Sequence, residues 1–199
     1  MKESFKPGTL LYPLPVVMVS CGTMEGLKNI VTVAWTGTLN SEPPMCYISL
    51  RKSRYSHGII MENKEFVINL VTENLVSATD WCGVRSGRDY DKFREMHLTP
   101  IAGQIVRAPL IDESPLSLEC RVVDIKELGS HDVFIAEVVA VDAESSLIDK
   151  STGQFQLNHS HPVAYSHGKY FKLGDRLGSF GFSVNKKTRK KIAKGCKIG

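Results

Sequence analysis

The chain lacks the signatures of several large protein classes. It has no C-x-x-C pair, and its five cysteines, Cys21, Cys46, Cys82, Cys120 and Cys196, are odd in number. That argues against a disulfide framework and against a zinc site. Cys46 and Cys120 fall in strand-like runs and are expected to pack as small apolar residues. No apolar run approaches the ~20 residues that cross a bilayer. The first residues offer Pro7, Gly8, Pro13 and Pro15 where a signal sequence would have an apolar core. A reduced, cytoplasmic setting away from membranes is the expectation. G-x-G-x-x-G, the P-loop and G-x-S-x-G are also absent. A Rossmann site, a phosphate-loop nucleotidase and an α/β-hydrolase are therefore not indicated.

Acid is missing from one region only. From Lys186 onward there are seven cations and no carboxylate, so the net charge of +4 conceals a body with 18 cations against 21 acids. Such a body is no general polyanion binder, and nucleic acid is not an expected partner. The length of 199 residues suits one domain with a substantial core. The expected organisation is one domain over residues 1–185 and a basic tail over 186–199.

Apolar patterning predicts strands at 16–20, 29–35, 45–50, 65–70, 116–128 and 132–143, with a last strand or pair at 165–173. Gly37 and Pro43-Pro44 mark a turn between the second and third strands. Gly129-Ser130 marks a hairpin between the long ones. Both faces of 132–143 are apolar, which predicts that both are covered. A short helix is expected to end near Asn63 with Ser53 or Ser56 as its cap. A second runs from Leu75 to about Cys82, capped by Asn74 and ended by Gly83, and a third begins at Asp91. Many strands with few short helices predict a mainly β, antiparallel barrel.

The densest chemistry lies at 49–57. Arg51, Lys52 and Arg54 alternate with Ser49, Ser53 and Ser56 and lead through His57 into a helix. Guanidinium forks, an ammonium, hydroxyls and free helix N–H groups are what a phosphate needs. A solvated basic loop would have the same composition. Upstream, Thr32, Val33, Ala34 and Trp35 form a strand whose backbone a flat ring could approach, and equally an ordinary core strand. Residues 86–93, with Asp91 and Lys92, read either as a loop over a ligand or as a turn before an Asp-capped helix. His159 and His161 would share one face of a strand, with His167 nearby. No carboxylate or cysteine accompanies them, so a metal is a weak reading beside a substrate-side or nicotinamide-side role.

As a set, Asn29-x-x-Thr32-x-Ala34-Trp35-x-Gly37, the 49–57 run, Asp91-Lys92-Phe93 and the glycine-rich ending at 174–182 resemble the flavin reductase-like, FMN-binding split-barrel family. The flavoredoxin and archaeal ferric reductase-type branch is the most similar. The resemblance spans about residues 8–183. It implies a Greek-key split β-barrel that forms a homodimer with FMN near the interface. It implies that Thr32, Val33, Ala34 and Trp35 line the ring, and that Ser49, Leu50, Arg51, Lys52, Ser53, Ser56 and His57 surround the ribityl phosphate. Residues 81–92, including Asp91 and Lys92, would close the site from the same or the neighbouring subunit. The implied activity is hydride or electron transfer between NAD(P)H, or a reduced partner protein, and flavin or ferric iron. A non-enzymatic FMN carrier is the alternative. The redox chemistry is the flavin's, so no side-chain acid or base is named.

Overall fold

The computed structural model describes residues 1–184. The basic tail expected over 186–199 lies outside the described residues. In chain order the strands are β1 (Leu14–Pro15), β2 (Val17–Gly22), β3 (Lys28–Val33), β4 (Thr36–Ser41) and β5 (Pro44–Arg51). Helix α1 (Tyr55–Asn63), β6 (Glu65–Leu70), helices α2 (Val76–Val84) and α3 (Lys92–Glu95), β7 (Pro100–Ile101) and β8 (Leu110–Ile111) follow. The chain then forms β9 (Leu116–Glu127), β10 (His131–Ala143), β11 (Val163–Ser166) and β12 (Lys169–Lys172). Among the described residues no helix is long and apolar enough to cross a membrane.

Seven strands form one antiparallel sheet in the order β3-β2-β6-β9-β10-β5-β4. β3 and β4 follow one another in sequence, yet they lie at opposite ends of this order. The chain therefore bends the sheet back on itself at Ala34 and Trp35. The backbone N–H of Ser49 donates to the Trp35 carbonyl at 2.9 Å, which extends the β4–β5 ladder to this bend, the seam of the sheet. β3 is paired in a ladder on its β2 side alone, which leaves its other edge open. This is a split β-barrel. Its interior is filled by Val19, Ile48, Phe66, Phe134 and neighbours, with the Cys46 and Cys120 thiols packed among them. Each such large side chain contributes roughly 1.5–3 kcal/mol by leaving water. A second cluster, including Met18, Ile30, Leu75 and Phe93, fixes α2 and α3 against the opposite face of β2 and β3.

Several local expectations change. Gly37 lies inside β4 rather than in a turn, and the chain reverses at Glu42-Pro43. α1 begins after Arg54 with no side-chain cap. Ser56 cannot serve, because its hydroxyl is buried and bound to Asn29. Asn74 sits in a 3₁₀ turn that caps nothing. Gly83 is within α2, where a Cβ would stand 3.1 Å from the Thr32 Cβ. It permits close packing of helix on strand instead of ending the helix. Only one face of the first half of β10 is covered in the single chain. Phe134 and Ala136 are buried, whereas Val133 and Ile135 are half-buried.

Candidate functional site

Two adjoining cavities open beside the seam. The first has a volume of about 410 Å³ and is lined by Thr32, Val33, Ala34 and Trp35 at the end of β3, and by Ser49, Leu50 and Arg51 across the seam. Its far wall is Asp80, Gly83 and Val84 of α2 with Tyr12, Tyr165 and Tyr170. The Tyr170 hydroxyl donates to Asp80 Oδ1 at 3.1 Å, and its ring meets that of Tyr165 edge-on. Thr32 Oγ1 donates to the Thr79 carbonyl, which fixes α2 over the strand. His131, paired in register with Arg51, stacks at a tilt on Trp35 with ring centroids 4.7 Å apart. Burial, and then the Arg51 charge, lower its pKa. The result is a slot along an open strand edge, with Arg51, Arg54 and Asp80 as its charged lining.

The second cavity, about 380 Å³, continues from the first through Val31, Arg51, Arg54 and Val84. It is lined by Ser53, Ser56 and the start of α1, by Arg85 to Arg88, and by Lys92. Five cations line it and no carboxylate does. Arg54 donates to the Gly83 carbonyl at 2.9 Å. Lys92 is 3% exposed, and its Nζ donates to the carbonyls of Ile30 and Cys82 at 2.7 Å each. Burial lowers its pKa to about 8. Asn29 is 2% exposed, and its Nδ2 donates to Ser56 Oγ at 2.8 Å. Its Oδ1 has no partner among the described residues. An orphaned buried amide atom, an uncapped helix start and a ring of cations fit an anionic group with hydroxyls near it.

The residues expected at the site divide accordingly. Thr32, Val33, Ala34, Trp35, Ser49, Leu50 and Arg51 come together around the slot, and Arg51, Ser53, Ser56 and Lys92 around the cationic cavity. Lys52, His57 and Asp91 line neither. Buried Asp132 draws in the first two: Lys52 Nζ lies 3.4 Å from its Oδ1 and His57 Nε2 2.7 Å from its Oδ2. Lys52 is also bound to Glu127 at 2.6 Å. Asp91 caps α3, accepting from the Arg94 N–H at 3.3 Å. The histidine pair is not on a strand. His159 lies in a 3₁₀ turn and His161 follows it in the left-handed region. No group of three metal-ligating side chains occurs among the described residues. Residues 84–88 line the cationic cavity within the same chain. Arg85 and Arg88 fall in the 81–92 stretch that the resemblance sets over the site, whereas Asp80 and Tyr165 carry no sequence motif that marks them for it. His131 had one cue, its position at the start of a strand facing the basic run.

The fold and site therefore define a barrel split along an open strand edge, with a slot that leads into a cationic cavity. The sequence profile of the flavin reductase like domain matches residues 9–174. The chain belongs to that family, and its function is a flavin-linked redox one. It is similar to flavoredoxin of Desulfovibrio vulgaris (Miyazaki F), 31% identical with a TM-score of 0.85 over 93% of this chain and 100% of that one. It is also similar to flavoredoxin from Methanosarcina acetivorans, 28% identical with a TM-score of 0.84 over 96% and 99%. In sequence it is 26% identical to the reductase component of a Rhodococcus opacus 4-nitrophenol 4-monooxygenase/4-nitrocatechol 2-monooxygenase, over 77% of this chain and 72% of that protein.

Proposed function

We propose that the protein is an FMN-binding oxidoreductase that passes hydride or electrons from NAD(P)H, or from a reduced partner, to flavin or ferric iron. The observation that carries this reading is the continuity of slot and cationic cavity through Arg51 and Arg54. When bound, FMN supplies the redox chemistry. The chain's own residues bind and orient. The open edge of β3 offers backbone N–H and C=O groups to a ring edge, with Trp35 beside it. Arg51, Arg54, Lys92, Ser53 and Ser56 hold the phosphate, whose charge is about −2. Asn29 anchors Ser56 and offers its free amide oxygen to a hydroxyl. Burial and then the Arg51 charge lower the His131 pKa, which favours the uncharged ring beside the slot. Its Nδ1 is paired with Ser130 Oγ at 2.9 Å.

The half-buried outer faces of β5 and β10, with Met45, Tyr47, Val133 and Ile135, support a homodimer. A large apolar sheet face is stable when another surface covers it. A second reading is an FMN electron carrier served by a partner reductase. The similarity to two flavoredoxins favours it. The absorbance spectrum of the purified protein tests both. Flavin bands that NADH or NADPH bleaches without oxygen support the reductase. Bands bleached only through another protein support the carrier. A colourless protein that takes up no FMN would sink both.

A further inference from the structure

The cationic cavity holds more charge and more space than one phosphate uses. Its five cations, Arg51, Arg54, Arg85, Arg88 and Lys92, face no carboxylate in the lining. Among the described residues none of the four arginines is paired with an acid, whereas Arg94 and Arg107 are. A volume of about 380 Å³ is in the range that takes a whole small ligand, about 300–1,000 Å³. A phosphate fills only a few water volumes of about 30 Å³, and the hydroxyls beside Asn29 take part of the remainder.

Arg85 and Arg88 differ from the other three cations. Both project from the loop after α2 and are exposed. Each guanidinium lies over an aromatic ring, Arg85 at 5.7 Å from Tyr90 and Arg88 at 5.0 Å from Tyr55. Stacking of this kind holds the guanidinium plane while leaving its N–H fork free for an acceptor. Arg88 also lines a surface groove of about 340 Å³ that runs past Lys28 and Tyr90. Asp89 and Asp91 line that groove but not the cavity. A phosphate therefore belongs on the cavity side of Arg88, and a sugar with its hydroxyls in the groove.

We infer that Arg85 and Arg88 receive the phosphates of a second nucleotide, the 2′-phosphorylated nicotinamide dinucleotide NADPH, and that they set its preference over NADH. The inference rests on the flavin reading above. After a flavin phosphate of about −2, roughly three of the five positive charges remain unmatched. The diphosphate of NADH would offset about two of these charges, and the added 2′-phosphate of NADPH would meet the remaining cation.

The test uses the FMN-loaded protein and the non-reducing probes NADP⁺ and NAD⁺, with adenosine 2′,5′-bisphosphate and 5′-AMP as fragments, titrated by calorimetry. A charge-assisted contact of about 1.5–3 kcal/mol makes NADP⁺ bind about tenfold or more tighter than NAD⁺, and the bisphosphate tighter than 5′-AMP. In R85A/R88A that ratio falls to about twofold, while FMN affinity and melting temperature hold. Equal affinity for NADP⁺ and NAD⁺ in the wild type overturns the inference. So does a ratio that survives in R85A/R88A, or a double variant that loses FMN in parallel. A wild-type protein that takes up no FMN overturns the flavin reading instead. A lowered melting temperature in R85A/R88A moves the decision to R85K/R88K. That pair keeps charge but loses the fork, and a ratio unchanged there overturns the inference.

Discussion

Asn29 Nδ2 donates to Ser56 Oγ at 2.8 Å, tying the start of β3 to the first turn of α1. This bond sets the floor of the cationic cavity, and the amide oxygen left over is buried and unpaired. Asn29→Asp would place a carboxylate at that floor. It is expected to weaken FMN by about tenfold or more and riboflavin much less. Fluorescence titration of both flavins measures the difference, and parallel losses would contradict a phosphate at this end.

Arg51 is shared by both cavities. Arg51→Ala should cost FMN about 1.5–3 kcal/mol, the usual worth of a charged hydrogen bond. Riboflavin, which has no phosphate, should lose little. If the two flavins weaken alike, Arg51 acts on the ring and not on the phosphate.

Gly87 lies against Asn29, and a Cβ there would stand 2.1 Å from Oδ1 and 2.6 Å from Cγ. A buried amide tied to Ser56 has little room to yield. Gly87→Ala is expected to destabilise the ligand-free protein by about 1–3 kcal/mol and to weaken FMN as the loop is displaced. An unchanged melting curve would show that the loop yields freely.

Lys92 gives the site a pH dependence. Burial lowers its pKa to about 8, below its ordinary value, so the ammonium is lost as pH rises through that point. FMN affinity should therefore fall between pH 7 and about 9.5. The ligand-free fold should behave oppositely. Below about 8 the charged lysine is buried at full cost in the folded state, and the cost is relieved as pH rises toward the unfolded value. Titrations and melts of the wild type and Lys92→Met at both pH values separate the two effects. A wild-type affinity that does not change, or a Lys92→Met affinity that falls as steeply, contradicts the assignment.

Ile135 lies on the half-buried outer face of β10, opposite Tyr47. Ile135→Asp is expected to turn a dimer into monomers, and light scattering after size-exclusion chromatography gives the mass. A wild-type monomer at working concentration would remove the homodimer proposal.

The sequence was most legible where structure is local. β6 is read residue for residue because three consecutive apolar side chains, Phe66 to Ile68, follow Glu65 and Leu70 closes the run. The stretch from Asn29 to Ser56 carries much of both cavities because one strand, one seam and one helix start follow in order. β4 was missed for a physical reason. Its Thr38 to Ser41 are exposed and, apart from Leu39, polar, so no apolar alternation marks them. Ser56 does not cap α1 because it is committed to Asn29, a contact across 27 positions, whereas Asp91, whose cap is local, does cap α3. Lys52 and His57 looked like phosphate ligands by composition, but a buried acid 75 or more positions away claims both. Tyr165, Tyr170 and Asp80 meet the site through packing of a small second sheet and α2, which no spacing rule encodes.

The open edge of β3 has a consequence for exchange with solvent. A strand bonded on one side only leaves alternate amides without a ladder partner, and these trade hydrogen for deuterium rapidly. Whatever fills the slot stands where the missing strand would be. Occupancy should therefore be written into the isotope content of residues 31–35, slowed there and little changed in β6 and β9, which are flanked on both sides.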